Sequence, residues 1–159
     1  MSKPRYRWWG NARNIARDYP KLKAMYEDLR QQDISASISS MPGGGDISRT
    51  AENLALRQLP KGDQQDYEAG YSAEQYIRRD TDGAIWLKTV ELVFWKSTHT
   101  IAGAAQQMHI SERTARRYCW LYIMRIGVAM GKLTEEEYAA AEKRDKGQKL
   151  DSQSQKTVV

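Results

Sequence analysis

Two hydroxyl residues, Thr100 and Ser111, place the tightest limit on what this chain can fold into. Each stands directly before a short run with helical apolar spacing. Each can accept a hydrogen bond from the backbone N–H groups that a helix start leaves without partners. The stretch TIAGAAQQMHISERTARRYCWLYIMRI, residues 100–126, therefore reads as two helices, one over 101–108 and one from 112 to about 127. His109 and Ile110 make the tight turn between them, where glycine is the commoner choice and histidine is tolerated at some cost. Two short helices cross closely only where small side chains meet. Ala104 and Ala105 supply these on the first helix and Ala115 on the second. Met108 and Ile110 flank the turn and are expected to point into the shared core. Tyr118, Tyr122 and Ile126 carry the buried stripe onward at about 3.6-residue spacing.

With those residues turned inward, Arg113, Arg116, Arg117 and Trp120 are left facing out, with Glu112 and Thr114 beside them. A helix of this size fits the major groove of duplex DNA. Arginine can bond guanine O6 and N7 with two donors at once. Thr100, Thr98 and Lys96 gather near the start of the first helix, where backbone N–H groups can meet a phosphate. The charge distribution agrees. The formal net charge is +5, but residues 1–32 carry 8 basic and 3 acidic side chains and residues 96–132 carry 6 and 1, each block net +5. Residues 61–95 between them are net −3. Two basic blocks point to a polyanion. Two solvated helix faces are the plainer alternative.

The rest of the chain also reads as helix. Residues 11–32 read as helix: Trp8, Ala12, Ile15 and Tyr19, then Leu22, Met25, Tyr26 and Leu29, recur at helical spacing, interrupted by Pro20, which should kink the helix or start a second one. Residues 33–47 contain Ser, Pro and the run Gly43-Gly44-Gly45 and are expected to be a flexible linker. The glycines are no phosphate loop, since neither a following Gly-Lys-Ser/Thr nor a preceding strand is present. Ser48 caps a short helix to about residue 59. A polar, tyrosine-bearing helix follows over 64–79. A strongly apolar one over 83–95, with Ile85, Trp86, Val90, Val93 and Phe94, should be the most buried element. Thr134 caps a last short helix whose Glu135, Glu136 and Glu137 suit its first turn, and the end of the chain is expected to be disordered. No strand alternation is visible. The expectation is an all-α helical bundle: a basic N-terminal helical arm over 1–32, the linker, a DNA-binding domain containing a C-terminal helix-turn-helix over 48–131, and a short helix with a tail over 132–159.

The N-terminal run PRYRWWGNAR interleaves Arg5, Arg7 and Arg13 with aromatic residues and could add DNA contacts along a phosphate backbone or in a minor groove. Equally, one tryptophan anchors the helix while the arginines stay solvated. Adjacent Trp8 and Trp9 cannot both face one way on a helix, so one of them calls for a partner, another subunit being a candidate for a homo-oligomer. His99, His109 and Cys119 match no zinc spacing, and Cys119 falls beside the core stripe, so a buried thiol is expected and neither metal nor cofactor. No nucleophile–base constellation is present, and the chain is not expected to be an enzyme. The longest uncharged apolar stretch falls far short of the roughly 18 residues of a membrane span. The start, Met-Ser-Lys-Pro-Arg, lacks an apolar signal region. With a single cysteine, these features lead to the expectation of a cytoplasmic protein.

The stretch ELVFWKSTHTIAGAAQQMHISERTARRYCWLYI, together with NIARDYPKLKAMYEDLR, the Ser/Gly/Pro loop and TAENLAL, resembles phage-encoded late-gene transcription regulators of the ArpU/RinA type. Their helix-turn-helix is similar to region 4 of bacterial sigma factors. The resemblance spans about residues 10–130. It implies a phage or prophage regulator acting at a promoter, with double-stranded DNA and RNA polymerase as partners and Ser111, Glu112, Arg113, Arg116 and Arg117 on the recognition face. His109 departs from the family's usual turn. Two other readings stand beside it: a phage small terminase-like packaging protein that binds its site as a ring, and a helical adaptor that binds an acidic protein and no DNA.

Overall fold

A computed structural model describes residues 6–38 and 47–154. Among them every regular element is helical: α1 (Trp9–Ile38), α2 (Ile47–Gln58), α3 (Lys61–Arg78), α4 (Gly83–Val90), α5 (Ile101–Gln107), α6 (Glu112–Ala129) and α7 (Glu135–Ser154). A π-helical segment, Glu91–Trp95, continues α4. The all-α expectation holds for these residues.

The helix at the centre is α6. Nine of its residues are buried, among them Tyr118, Leu121, Tyr122, Ile123, Met124 and Ile126. Around them pack Ala12, Ile15 and Ala16 of α1, Ala69, Ala73 and Ile77 of α3, Trp86 and Val90 of α4, and Tyr138 of α7. The 83–95 segment buries Trp86, Thr89, Val90, Leu92 and Phe94, as its apolar composition suggested, though not on every face. Ile85 remains 40% exposed, because an eight-residue helix at the surface has one face left for solvent. A second core joins Tyr19, Leu22 and Tyr26 of α1 to Ala55 of α2, Leu59 and Tyr67 of α3. Trp95 touches both cores.

The N-terminal helix is not an outlying arm. It runs unbroken to Ile38 with Pro20 inside it, and its buried face enters both cores. An interior proline costs about 3 kcal/mol. Here buried residues on both sides of it, Ala16 and Tyr19 before and Leu22 and Tyr26 after, hold the helix in one piece. The helix also takes up residues 33–38 of the expected linker, where Asp33 accepts a hydrogen bond from Gln58 on α2 (3.3 Å). The triple glycine lies outside the described residues, as do residues 155–159 of the tail. Helix α7 extends to Ser154, well past the short element expected, and opens with a reciprocal cap. The Glu137 N–H donates to the Thr134 hydroxyl (3.2 Å), and the Glu137 carboxylate accepts from the Thr134 N–H (2.8 Å).

Between α1 and α3 sits a buried carboxylate. Glu74 is 1% exposed and accepts hydrogen bonds from the Tyr19 hydroxyl, Lys23 (3.1 Å) and Arg78. Burial pushes this carboxyl up, but the three donors outweigh it and hold it below the usual range. Burial, together with the same contact, pushes the Tyr19 hydroxyl far up.

Trp8 and Trp9 both pack against the main core, and the reason lies in the boundary of α1. Trp8 is in the turn before the helix and Trp9 is its first residue, so the helical rule that separates neighbours does not apply. The Trp8 ring lies on Gly127 of α6, where any Cβ would come within 2.5 Å of it. The case for another subunit that rested on a stranded tryptophan therefore lapses.

Candidate nucleic-acid interface

Both helix caps marked in the sequence are present. Thr100 has extended backbone, and its hydroxyl accepts from the Gly103 N–H (3.1 Å). Ser111 does the same for the Thr114 N–H (3.1 Å). Between the helices, His109 adopts φ +53°. Its N–H donates to the Gln106 carbonyl (3.2 Å), and the Ile110 N–H reaches back to the Ala105 carbonyl (3.0 Å). These two bonds define a Schellman cap, with histidine at the left-handed position usually held by glycine. Ala104, Ala105 and Ala115 are buried at the contact, and Ile110 packs on the core. Met108 differs from expectation: it is half-buried and does not join that core.

Behind this pair, Trp86 clamps α6. Its ring stacks on Tyr118 (5.2 Å, 12° between planes), and its indole N–H donates to the Tyr118 carbonyl (3.0 Å). The buried stripe of Tyr118, Tyr122 and Ile126 is as expected.

The outward residues divide. Ser111, Glu112, Arg113 and Arg116 are exposed. Arg116 forms an i,i+4 ion pair with Glu112, both more than half exposed, a pairing that is worth about 0–1 kcal/mol and leaves the guanidinium accessible. Arg113 has no ion-pair partner among the described residues. Arg117 is different. Only 22% exposed, it lies 2.9 Å from Asp145 and 3.8 Å from Glu142, both on α7. Trp120 is half-buried against the core and does not stand out as a groove contact, because its position next to Leu121 and close to the α6 stripe draws the ring inward. Thr114 is half-buried, its hydroxyl 2.8 Å from that of Ser111.

The residues expected to add phosphate contacts have the following surroundings. Lys96 is paired with Glu91 (2.7 Å), which also takes Lys88 (2.8 Å); these two hydrogen bonds hold the Glu91 carboxyl below its usual range. The Thr100 oxygen is already used as a cap. Arg7 and Arg13 are exposed, but the neighbouring Trp8 is seated on Gly127, which lies about 21 Å along the helix axis from Arg113. Arg5 lies outside the described residues.

Sequence reasoning missed the role of α7. Glu135, expected only to suit the first turn of its helix, grips Arg125 with both oxygens, and the Arg125 guanidinium stacks 3.8 Å over the Tyr76 ring. Arg125 pulls the Glu135 carboxyl down. Only Thr134 and Glu137 carried a local signal; the other α7 contacts join residues distant in the chain.

Cys119 is buried, and burial pushes its thiol up to about 12, so it is a packed sulfur and not a nucleophile. Among the described residues no three His, Cys, Asp or Glu side chains are grouped to hold a metal ion. Among the described residues no helix is long and apolar enough to cross a membrane. Comparison with protein-family models, curated proteins and solved structures found no match.

Proposed function

We propose that this protein is a sequence-specific, double-stranded DNA-binding transcription regulator of phage or prophage origin, in which α5 and α6 act as a helix-turn-helix and α6 is the recognition helix. The observation that carries this reading is the placement of Arg113 and Arg116. They stand exposed on the first turns of α6, directly after a sharp Schellman turn, while the back of the same helix is fixed by the deepest part of the core. A rigid helix that offers guanidinium groups at its N-terminal end meets the requirements of major-groove reading. The net +5 of residues 96–132 suits a phosphate backbone. The resemblance to ArpU/RinA-type regulators supports the same conclusion and adds RNA polymerase as a second partner.

The test is selection of bound fragments from a host genome, followed by titration of the recovered sequence at several salt concentrations. A common motif upstream of genes is expected, with binding that weakens by a log–log slope of about 0.9 per phosphate contact. Recovery of unrelated fragments, or affinity that ignores salt, overturns the proposal.

A further inference from the structure

We propose that α7 is an acidic brake on this interface, with the Glu142 and Asp145 carboxylates occupying the Arg117 guanidinium in place of a DNA phosphate. The inference rests on the DNA-binding reading above and adds to it a regulatory element within the chain.

The geometry is set by two ion pairs. Arg125, near the C-terminal end of α6, is held by Glu135 at the start of α7. Arg117, eight residues earlier on α6, is held by Glu142 and Asp145, seven and ten residues later on α7. The two helices are therefore antiparallel, and α7 travels toward the turn that precedes α6. Eight α6 residues rise about 12 Å and ten α7 residues about 15 Å, so the pairs stay in register. The α7 backbone continues from Asp145 to Ser154, a further 13 Å or so in the same direction.

Arg117 is the most enclosed of the three arginines, which follow one another within five positions of α6. Arg113 and Arg116 are exposed, and only Arg117 is covered by another helix. The contact is an ion pair by distance, with the buried Arg117 Nε lacking a hydrogen-bond partner, so a phosphate would compete with the two carboxylates for the guanidinium charge and find its donors unfilled. The anchorage of α7 does not depend on this contact. Leu133 and Tyr138 are buried in the main core, and Arg125 holds Glu135. Neutralising Glu142 and Asp145 therefore releases Arg117 and leaves α7 attached.

The experiment measures binding of the full chain to a mixed-sequence 30-base-pair duplex across a salt series, for the parent, E142Q/D145N, R117A in that background, and E27Q/D28N. The last removes the same charge from exposed positions on α1. Release of one more cation should make E142Q/D145N bind about threefold to tenfold tighter at moderate salt, with a log–log slope steeper by about 0.9. R117A should erase the gain, and E27Q/D28N should not reproduce it. Should E142Q/D145N lose its helical circular dichroism, D145N alone, which frees the shorter contact, serves in its place with a smaller gain. If the parent binds in a salt-dependent way but E142Q/D145N binds no tighter, or E27Q/D28N gains as much, the brake is refuted and the DNA reading stands. If no version binds the duplex even at low salt, the DNA reading falls and the brake with it.

Discussion

The two halves of α6 share one backbone and live in different surroundings. From Tyr118 to Gly127 nearly every residue is buried, gripped by α1, α3 and α4. From Glu112 to Arg117 only Ala115 is buried, and the surface is polar and charged. The first region fixes where the second points. A binding surface on an isolated helix would be poorly placed, because most helical stability comes from packing of the apolar face. Here the packed half holds the exposed half at a fixed angle beyond the turn.

This division predicts that substitutions separate along the helix. The largest effect belongs to the packed half. Ile126→Ala removes a fully buried side chain from the main core and should cost about 2–5 kcal/mol of stability, read by urea or thermal unfolding. A loss below about 1 kcal/mol would mean that the second half of α6 is not the anchor. In the exposed half, Arg113→Ala or Arg116→Ala should leave stability within about 0.5 kcal/mol, as surface changes do. On a selected DNA site each should lower affinity by about 1–3 kcal/mol where the arginine reads a base. Unchanged affinity in the double variant would separate the exposed half from any role in DNA recognition.

What the sequence made legible follows the same line. The caps at Thr100 and Ser111, the alanine contact and the Tyr118–Tyr122–Ile126 stripe are local patterns, each written within a few neighbouring residues. Sequence could not show that Arg117 faces α7, because Asp145 lies 28 positions away and acidic residues on a helix look solvated until a partner is placed beside them. Lys96 shares this difficulty: its partner Glu91 is close in sequence, but the two meet through the π-helical segment, which a regular 3.6-residue pattern does not anticipate. The two tryptophans misled because the helix boundary falls between them. Pro20 misled because packing on both sides outweighed a local penalty.

A smaller effect tests the boundary of the exposed half. Ser111→Ala removes the acceptor for the Thr114 N–H and should cost about 1 kcal/mol, typical of a lost helix cap. Because this residue opens α6, the loss should be accompanied by faster amide exchange in the first turn and unchanged exchange from Tyr118 onward. Uniform loss of protection along the whole helix would contradict the division.

The finest comparison is between the ends of α5 and α6, which close with the same motif. After α6, Gly131 sits at φ +69°, with its N–H donating to the Val128 carbonyl (2.9 Å) and the Lys132 N–H to the Gly127 carbonyl (2.9 Å). After α5, His109 occupies the equivalent position at φ +53° with the same pair of bonds. A left-handed conformation costs an L-residue about 1–2 kcal/mol, while glycine loses more freedom on folding, by roughly 0.5–1 kcal/mol. His109→Gly should therefore stabilise the protein by about 0.5 kcal/mol, and Gly131→Ala should destabilise it by about the same or somewhat more. The His109 side chain is exposed, so little packing is lost in the exchange. Equal and opposite shifts in unfolding midpoint would show that the two turns are alike in energy as well as in geometry. A destabilised His109→Gly would instead assign the imidazole a stabilising contact of its own, and would explain why this turn departs from glycine.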